Sequence, residues 1–160
     1  MFKKDIDRLN IEINYQGKTL DSYLILFKGT ICNNGNSDID KTRIHNPLLI
    51  KTNDEYKWLE ANVSDIPDGA IVALTKIDDT SLKLDWDLLK KDEQIEFEAL
   101  IEIPQNKEIE EITESFYNSI TFDFRITDVN KIEKLSDINP MEKTELRKRK
   151  ANIFLVCLFF

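Results

Sequence analysis

The stretch Ile120-Thr121-Phe122-Asp123-Phe124-Arg125-Ile126-Thr127 alternates apolar and polar residues without a fault. Successive side chains of a strand point to opposite faces. The pattern therefore sends Ile120, Phe122, Phe124 and Ile126 into a core and leaves Thr121, Asp123, Arg125 and Thr127 in water. A helix would scatter the same residues around its axis, so the spacing predicts a strand with one buried face.

The same period of two recurs upstream. Leu9, Ile11, Ile13 and Tyr15 alternate with polar residues, and Gln16-Gly17-Lys18 follows as a turn, because glycine tolerates positive φ. Residues 20–32 form a longer run with Tyr23, Ile25, Phe27 and Ile31 on one face and Leu24 and Leu26 on the other, which predicts cover on both sides. Asn33-Asn34-Gly35-Asn36-Ser37-Asp38 is the densest cluster of turn residues, and Asn-Gly predicts a hairpin there. Ile39, Arg43, Ile44 and residues 48–50 suggest the returning strand, with Pro47 at an edge or a bulge because it lacks a ladder donor. Further strands are expected over residues 56–63, 70–77, 82–86 and 95–103, with turns at 66–69 and 78–81 and a corner at 86–93.

Between Lys107 and Tyr117 the spacing changes: Ile109, Ile112 and Phe116 repeat at three and four, predicting a short helix or ordered loop with its glutamates in water. Strands at short intervals without long helices between them predict an all-β fold. The expected architecture is an antiparallel immunoglobulin-like β-sandwich of about seven to nine strands over residues 1–130.

Residues 131–150 are expected to connect this domain to an apolar segment, 151–160, with a helix beginning near Pro140. Arg147-Lys148-Arg149-Lys150 stands directly before Ala151-Asn152-Ile153-Phe154-Leu155-Val156-Cys157-Leu158-Phe159-Phe160. A basic cluster ahead of an apolar run marks the cytoplasmic side of a membrane segment, so membrane contact through residues Arg147 to Phe160 is expected. Ten helical residues reach about 15 Å, short of the roughly 20 residues that a bilayer core requires. The run is therefore the beginning of a longer helix, or lies in the interface. The competing expectation is a final core strand, for which Ile, Phe, Val and Cys are acceptable residues.

The formal net charge of −8 repels phosphate backbones, which argues against nucleic-acid binding. Cys32 and Cys157 are too few for a disulfide framework and are expected as buried, reduced thiols in a cytoplasmic domain. Met1-Phe2-Lys3-Lys4-Asp5 turns polar at once, which is not the pattern of a secretory leader.

No catalytic, cofactor-binding or metal-ligating set is expected. His45 is the one histidine and stands beside Asn46-Pro47, at a strand end or loop. Asn34, Asn36, Asp38 and Asp40 offer oxygen ligands at alternate positions, but the twelfth position counted from Asn34 is His45, where a calcium loop needs a bidentate glutamate. Trp58 and Trp86 are read as core residues between two sheets, each indole N–H finding a partner. The alternative is a carbohydrate-stacking pair.

Leu9-Asn10-Ile11-Glu12-Ile13-Asn14-Tyr15-Gln16-Gly17-Lys18, Gly29-Thr30-Ile31-Cys32-Asn33-Asn34-Gly35-Asn36-Ser37-Asp38-Ile39, Pro47-Leu48, and Leu88-Leu89 ahead of Ile95 come in a recognisable order. Over residues 9–103 this order resembles uncharacterised bacterial membrane-associated proteins that carry an immunoglobulin-like β-sandwich next to transmembrane helices. The chain departs from that group at Lys90-Lys91-Asp92, where Asn-Pro-Gly-Asp is usual, which puts the turn geometry in question. The resemblance implies topology and location, and carries over no site residues. The expected function is a non-catalytic module for protein interaction or sensing, on the cytoplasmic side of a membrane, with a protein partner that the sequence does not name. The contact surfaces expected are the loops at 33–38 and 78–81 and an edge strand near Pro47. Carbohydrate binding through Trp58 or Trp86 is the alternative.

Overall fold

The computed structural model describes residues 13–20, 22–103, 109–135 and 155–159. Leu9 and Ile11 of the first expected strand, the helix start at Pro140 and the basic cluster 147–150 lie outside the described residues.

The fold is all-β, built mostly of antiparallel sheets. A small hairpin comes first, β1 (Ile13–Tyr15) and β2 (Lys18–Leu20), joined through Gln16 at φ 49 and Gly17 at φ 79. Two successive positive φ values suit the twist of a two-residue hairpin, which is why glycine stands there.

Among the described residues, nine strands then form two main sheets. The five-stranded sheet runs β12 (Lys131–Leu135), β13 (Leu155–Phe159), β3 (Tyr23–Asn33), β10 (Gln94–Ile103), β6 (Lys57–Asp65). The four-stranded sheet runs β11 (Thr121–Ile126), β5 (Ile44–Lys51), β8 (Ser81–Trp86), β7 (Val72–Lys76). Two short strands, β4 (Ile39–Asp40) and β9 (Leu88–Leu89), pair separately. The larger sheet draws β12 and β13 from beyond residue 130, so its strands pass the boundary expected for the domain.

Alternation decides which side of each strand is buried. On β10, Ile95, Phe97, Ala99, Ile101 and Ile103 are buried, and the residues between them are half-exposed. On β8, Leu82, Leu84 and Trp86 face the same core from the other sheet. On β3, Ile25, Phe27 and Ile31 pack inward. Leu26 is exposed, so double cover fails at the start of the strand and is found only toward Thr30 and Cys32, both buried. Gly29 stands opposite Phe97, and a Cβ on it would fall 2.5 Å from Cε1 of that ring. Absence of a side chain lets the Phe97 ring lie across the strand.

The helix expected near 107–117 is α1 (Ile109–Ser119). It inserts Ile112 and Phe116 into the core, where Phe116 meets Phe27, Tyr56 and Trp58 edge-on at centroid distances of 5.3, 5.2 and 5.8 Å. Such edge-to-face contacts suit the quadrupoles of the rings. The end of α1 is held from β12. Lys134 Nζ donates to the carbonyls of Tyr117 at 3.0 Å and Ile120 at 2.9 Å, 5.1 Å from the Tyr117 ring centroid. A cation there satisfies orphan carbonyls and opposes the helix dipole. Replacing Lys134 with Met should cost about 1–2 kcal/mol. Urea unfolding would measure it, with faster amide exchange in the last turn of α1.

Two sequence expectations change. Asn33–Asp38 does not close a hairpin: β3 pairs with β10 and β13, and the chain crosses to the other sheet. Asn33 governs the crossing. Fully buried, it donates from Nδ2 to Ser37 O and Leu89 O, both at 3.0 Å, and accepts from Gly35 N at 3.0 Å. A turn composition reports that the chain bends, and says nothing of which strand lies beyond. The strand carrying Pro47 is no edge, which removes the contact surface expected there: β5 lies between β11 and β8. Of the two places expected for Pro47 itself, the bulge is the one found, where the β11 register shifts.

The C-terminal run also takes a definite form. Leu155–Phe159 is a strand, paired antiparallel with β12 and parallel with β3. No helix among the described residues is long and apolar enough to cross a membrane.

Candidate functional site

The residues singled out from the sequence do not converge on one place. His45 is exposed, with Nε2 2.9 Å from Thr127 Oγ1. Three of the four side chains that suggested calcium have their oxygens engaged in hydrogen bonds. Asn34 Oδ1 accepts from Cys32 Sγ, Asp38 Oδ1 from Lys91 N, and Asp40 Oδ1 from Thr42 N. Among the described residues no group of three or more His, Cys, Asp or Glu side chains could hold a metal ion. The corner at 90–93 closes without glycine because Asp92 itself takes φ 64, a conformation that aspartate tolerates.

Trp58 and Trp86 are 0% and 2% exposed, so neither ring offers a face to a sugar. Trp58 Nε1 donates to Thr80 O at 3.1 Å. Trp86 Nε1 is buried with no acceptor among the described residues, contrary to the expectation that each indole would find one.

The two main sheets end in β12, β6, β11 and β7, and of these β7, with the turns at its two ends, is the one bordered by exposed isoleucines on both sides. Its one ladder partner is β8, through Val72↔Trp86, Leu74↔Leu84 and Lys76↔Leu82, while β6 comes close beside it without pairing. Val72 and Leu74 lean on the core, while Ala73 and Thr75 are exposed and small. Three isoleucines flank the strand in water: Ile66 at 41% exposure, Ile71 at 73% and Ile77 at 55%. Pro67 and Gly69 hold the first turn, with Ala70 N donating to Pro67 O at 3.1 Å and Gly69 at φ 77.

Aspartates bracket the same edge. At one end, Asp87 Oδ1 accepts from Ile71 N at 2.8 Å and from Leu88 N at 2.7 Å. At the other, Asp78 Oδ1 accepts from Thr80 N and Thr80 Oγ1, and Asp79 pairs with Lys76 at 2.7 Å. Each of these bonds favours the charged form. Backbone donation from Ile71 holds Asp87 below the usual carboxylate range. Donation from Thr80 N does the same for Asp78, and the hydrogen bond from Lys76 does so for Asp79. All three are therefore anionic at neutral pH. The Asp79 contact also draws Lys76 toward the turn, although lysine on an edge strand ordinarily wards off a pairing chain.

These depressed values carry a sign for stability. A carboxyl whose folded-state pKa lies below its unfolded one stabilises the fold above the unfolded value. That contribution fades as the pH drops through the folded one. Asp40, held down mainly by the Thr42 hydroxyl, belongs to the same set. The urea midpoint should accordingly be flat from neutral pH to about 5 and fall steadily below about 4. Equilibrium unfolding at a series of pH values checks this.

The loop 78–81, one of the contact surfaces expected from the sequence, borders β7. The sequence reading missed the β7 edge, since strand order is not legible in one chain; the three exposed isoleucines were the available signal. Comparison with protein-family models, with curated proteins and with solved structures found no match to this chain.

Proposed function

We propose that this chain is a non-catalytic protein-interaction module that takes an extended segment of its partner along the edge of β7 that has no ladder partner. The observation that carries it is the composition of that edge: no ladder partner on one side, small outward residues, exposed isoleucines at both ends and fixed aspartate charges beyond them. Strand addition gains affinity from main-chain hydrogen bonds and specificity from alternate side chains. The partner segment that fits is apolar at its centre and basic at its flanks, matching the aspartates at the two ends of the strand.

An immunoglobulin-like sandwich is the architecture that best fits the strand order. If the long strands are lettered in chain order from β3, then β5-β8-β7 corresponds to B-E-D and β6-β10 to C-F. Trp58 on β6 then occupies the strand-C position of the buried core tryptophan of that fold. The departure is that the first and last of these strands, β3 and β11, exchange sheets.

Selection of peptides from a displayed random library, followed by hydrogen exchange of the complexes, tests the interaction. Binders should carry Lys or Arg on either side of an apolar core and protect amides over 72–76. Binders that protect other strands, or that lose nothing when Ile71 and Ile77 are both replaced by Asp, would rule the reading out.

A second reading, favoured by Arg147-Lys148-Arg149-Lys150 ahead of the apolar run, is attachment to a bacterial membrane from the cytoplasmic side. It requires β13 to leave the sheet. Co-sedimentation with vesicles containing anionic lipid, lost when the four basic residues are replaced by Gln, is its expected mark. Wild-type protein that stays in the supernatant would dismiss it.

A further inference from the structure

We propose that Cys32 and Cys157 form a redox-controlled disulfide that fastens the C-terminal strand to the sheet. The chain holds two cysteines, 125 positions apart in sequence. Parallel pairing of β13 with β3 makes them register partners: Leu155 stands opposite Thr30, Val156 opposite Ile31, Cys157 opposite Cys32 and Leu158 opposite Asn33. Neighbouring strands lie about 4.7–4.9 Å apart, and residues in register share a face of the sheet. A disulfide joins Cα atoms about 4.4–6.8 Å apart, so this register sets the two positions within bridging reach. A shift of one residue along β13 would put them on opposite faces.

The place of β13 gives such a bond its consequence. Among the described residues, β12 is joined to the five-stranded sheet through β13 alone. β12 carries Lys134, whose ammonium holds the last carbonyls of α1. Fastening β13 therefore also secures β12 and the end of the helix that puts Phe116 into the core. Cys32 is buried, and its thiol donates to Asn34 Oδ1 at 2.9 Å at the mouth of the crossing to the other sheet. Oxidation replaces that hydrogen bond with a covalent one.

A small-molecule disulfide is the oxidant. The thiolate of one cysteine attacks a sulfur of R–S–S–R, forming a mixed disulfide and expelling one R–S⁻. The thiolate of the second cysteine then attacks the protein sulfur of the mixed disulfide and expels the other. Two protein thiols are oxidised, one external disulfide is reduced to two R–SH, and the two protons released by the cysteines end on those products.

The test uses the full chain in oxidised glutathione and, in parallel, in dithiothreitol. The oxidised protein should lose two hydrogens by intact mass and give a proteolytic fragment joining Cys32 to Cys157. Because the closed loop is long, it should also melt roughly 5–15 °C above the reduced form. Cys157→Ser should abolish the difference between the two conditions, and Cys32→Ser should do the same. Protein that keeps both thiols open to alkylation after oxidation would overturn the proposal, as would cross-links found only between molecules. Neither outcome bears on the β7 edge, so the two proposals fail separately.

Discussion

Replacing Trp58 with alanine is expected to lower the free energy of unfolding by about 3–5 kcal/mol, the largest effect of any single side chain here. The indole is fully buried. It stands 6.0 Å from the Phe27 ring centroid and 5.8 Å from that of Phe116, so its loss leaves a cavity that three elements border. It also removes the donor to Thr80 O, which ties β6 to the turn between β7 and β8. Trp58→Phe separates the two terms. It keeps most of the ring volume and should lose only about 1–2 kcal/mol through the missing N–H. Urea midpoints of the three proteins, taken with m-values, measure both.

Asn33→Ala should come next, at roughly 3 kcal/mol or more, through polarity and not volume. Three groups would lose their partner at once: Gly35 N, Ser37 O and Leu89 O, each costing about 1–3 kcal/mol where water cannot replace it. The backbone of Asn33 is engaged as well, its N–H donating to Glu93 O at 3.0 Å and its carbonyl accepting from Asp92 N at 2.8 Å. These bonds survive the substitution, so the crossing should loosen without coming apart. Asn33→Asp is the informative companion. It keeps the acceptor for Gly35 N and turns the other side of the group, a carboxylate, against two carbonyl oxygens. It should therefore be at least as damaging as alanine. A loss below about 1 kcal/mol for both variants would show that the crossing does not depend on this side chain.

Legibility in the sequence followed the range of the interaction. Ile120 to Ile126 gave β11 because alternation is a local property of one strand, and Ile109, Ile112 and Phe116 gave α1 for the same reason. Gln16-Gly17 gave a true hairpin, since its two positive φ values need only their own residues. Asn33 to Asp38 misled, because the cluster fixes a bend while the partner of β3 is Gln94–Ile103, some sixty positions on. The C-terminal apolar run offered two expectations, since an interior strand covered on both sides and the start of a membrane helix have the same composition. Its pairing with β3 depends on a register no local pattern encodes. The β7 edge stayed hidden for a related reason. Whether Ala73 and Thr75 border another strand or open water is a fact of sheet order.

Insertion of β13 beside β3 has a consequence for the making of the protein. During translation Cys32 leaves the ribosome 125 residues before Cys157, which at about 5–20 residues per second is on the order of 6–25 s. Until β10 is made both flanks of β3 are unfilled, and from then until β13 emerges one still is. Synthesis, and not diffusion, then sets the moment at which the larger sheet can be completed.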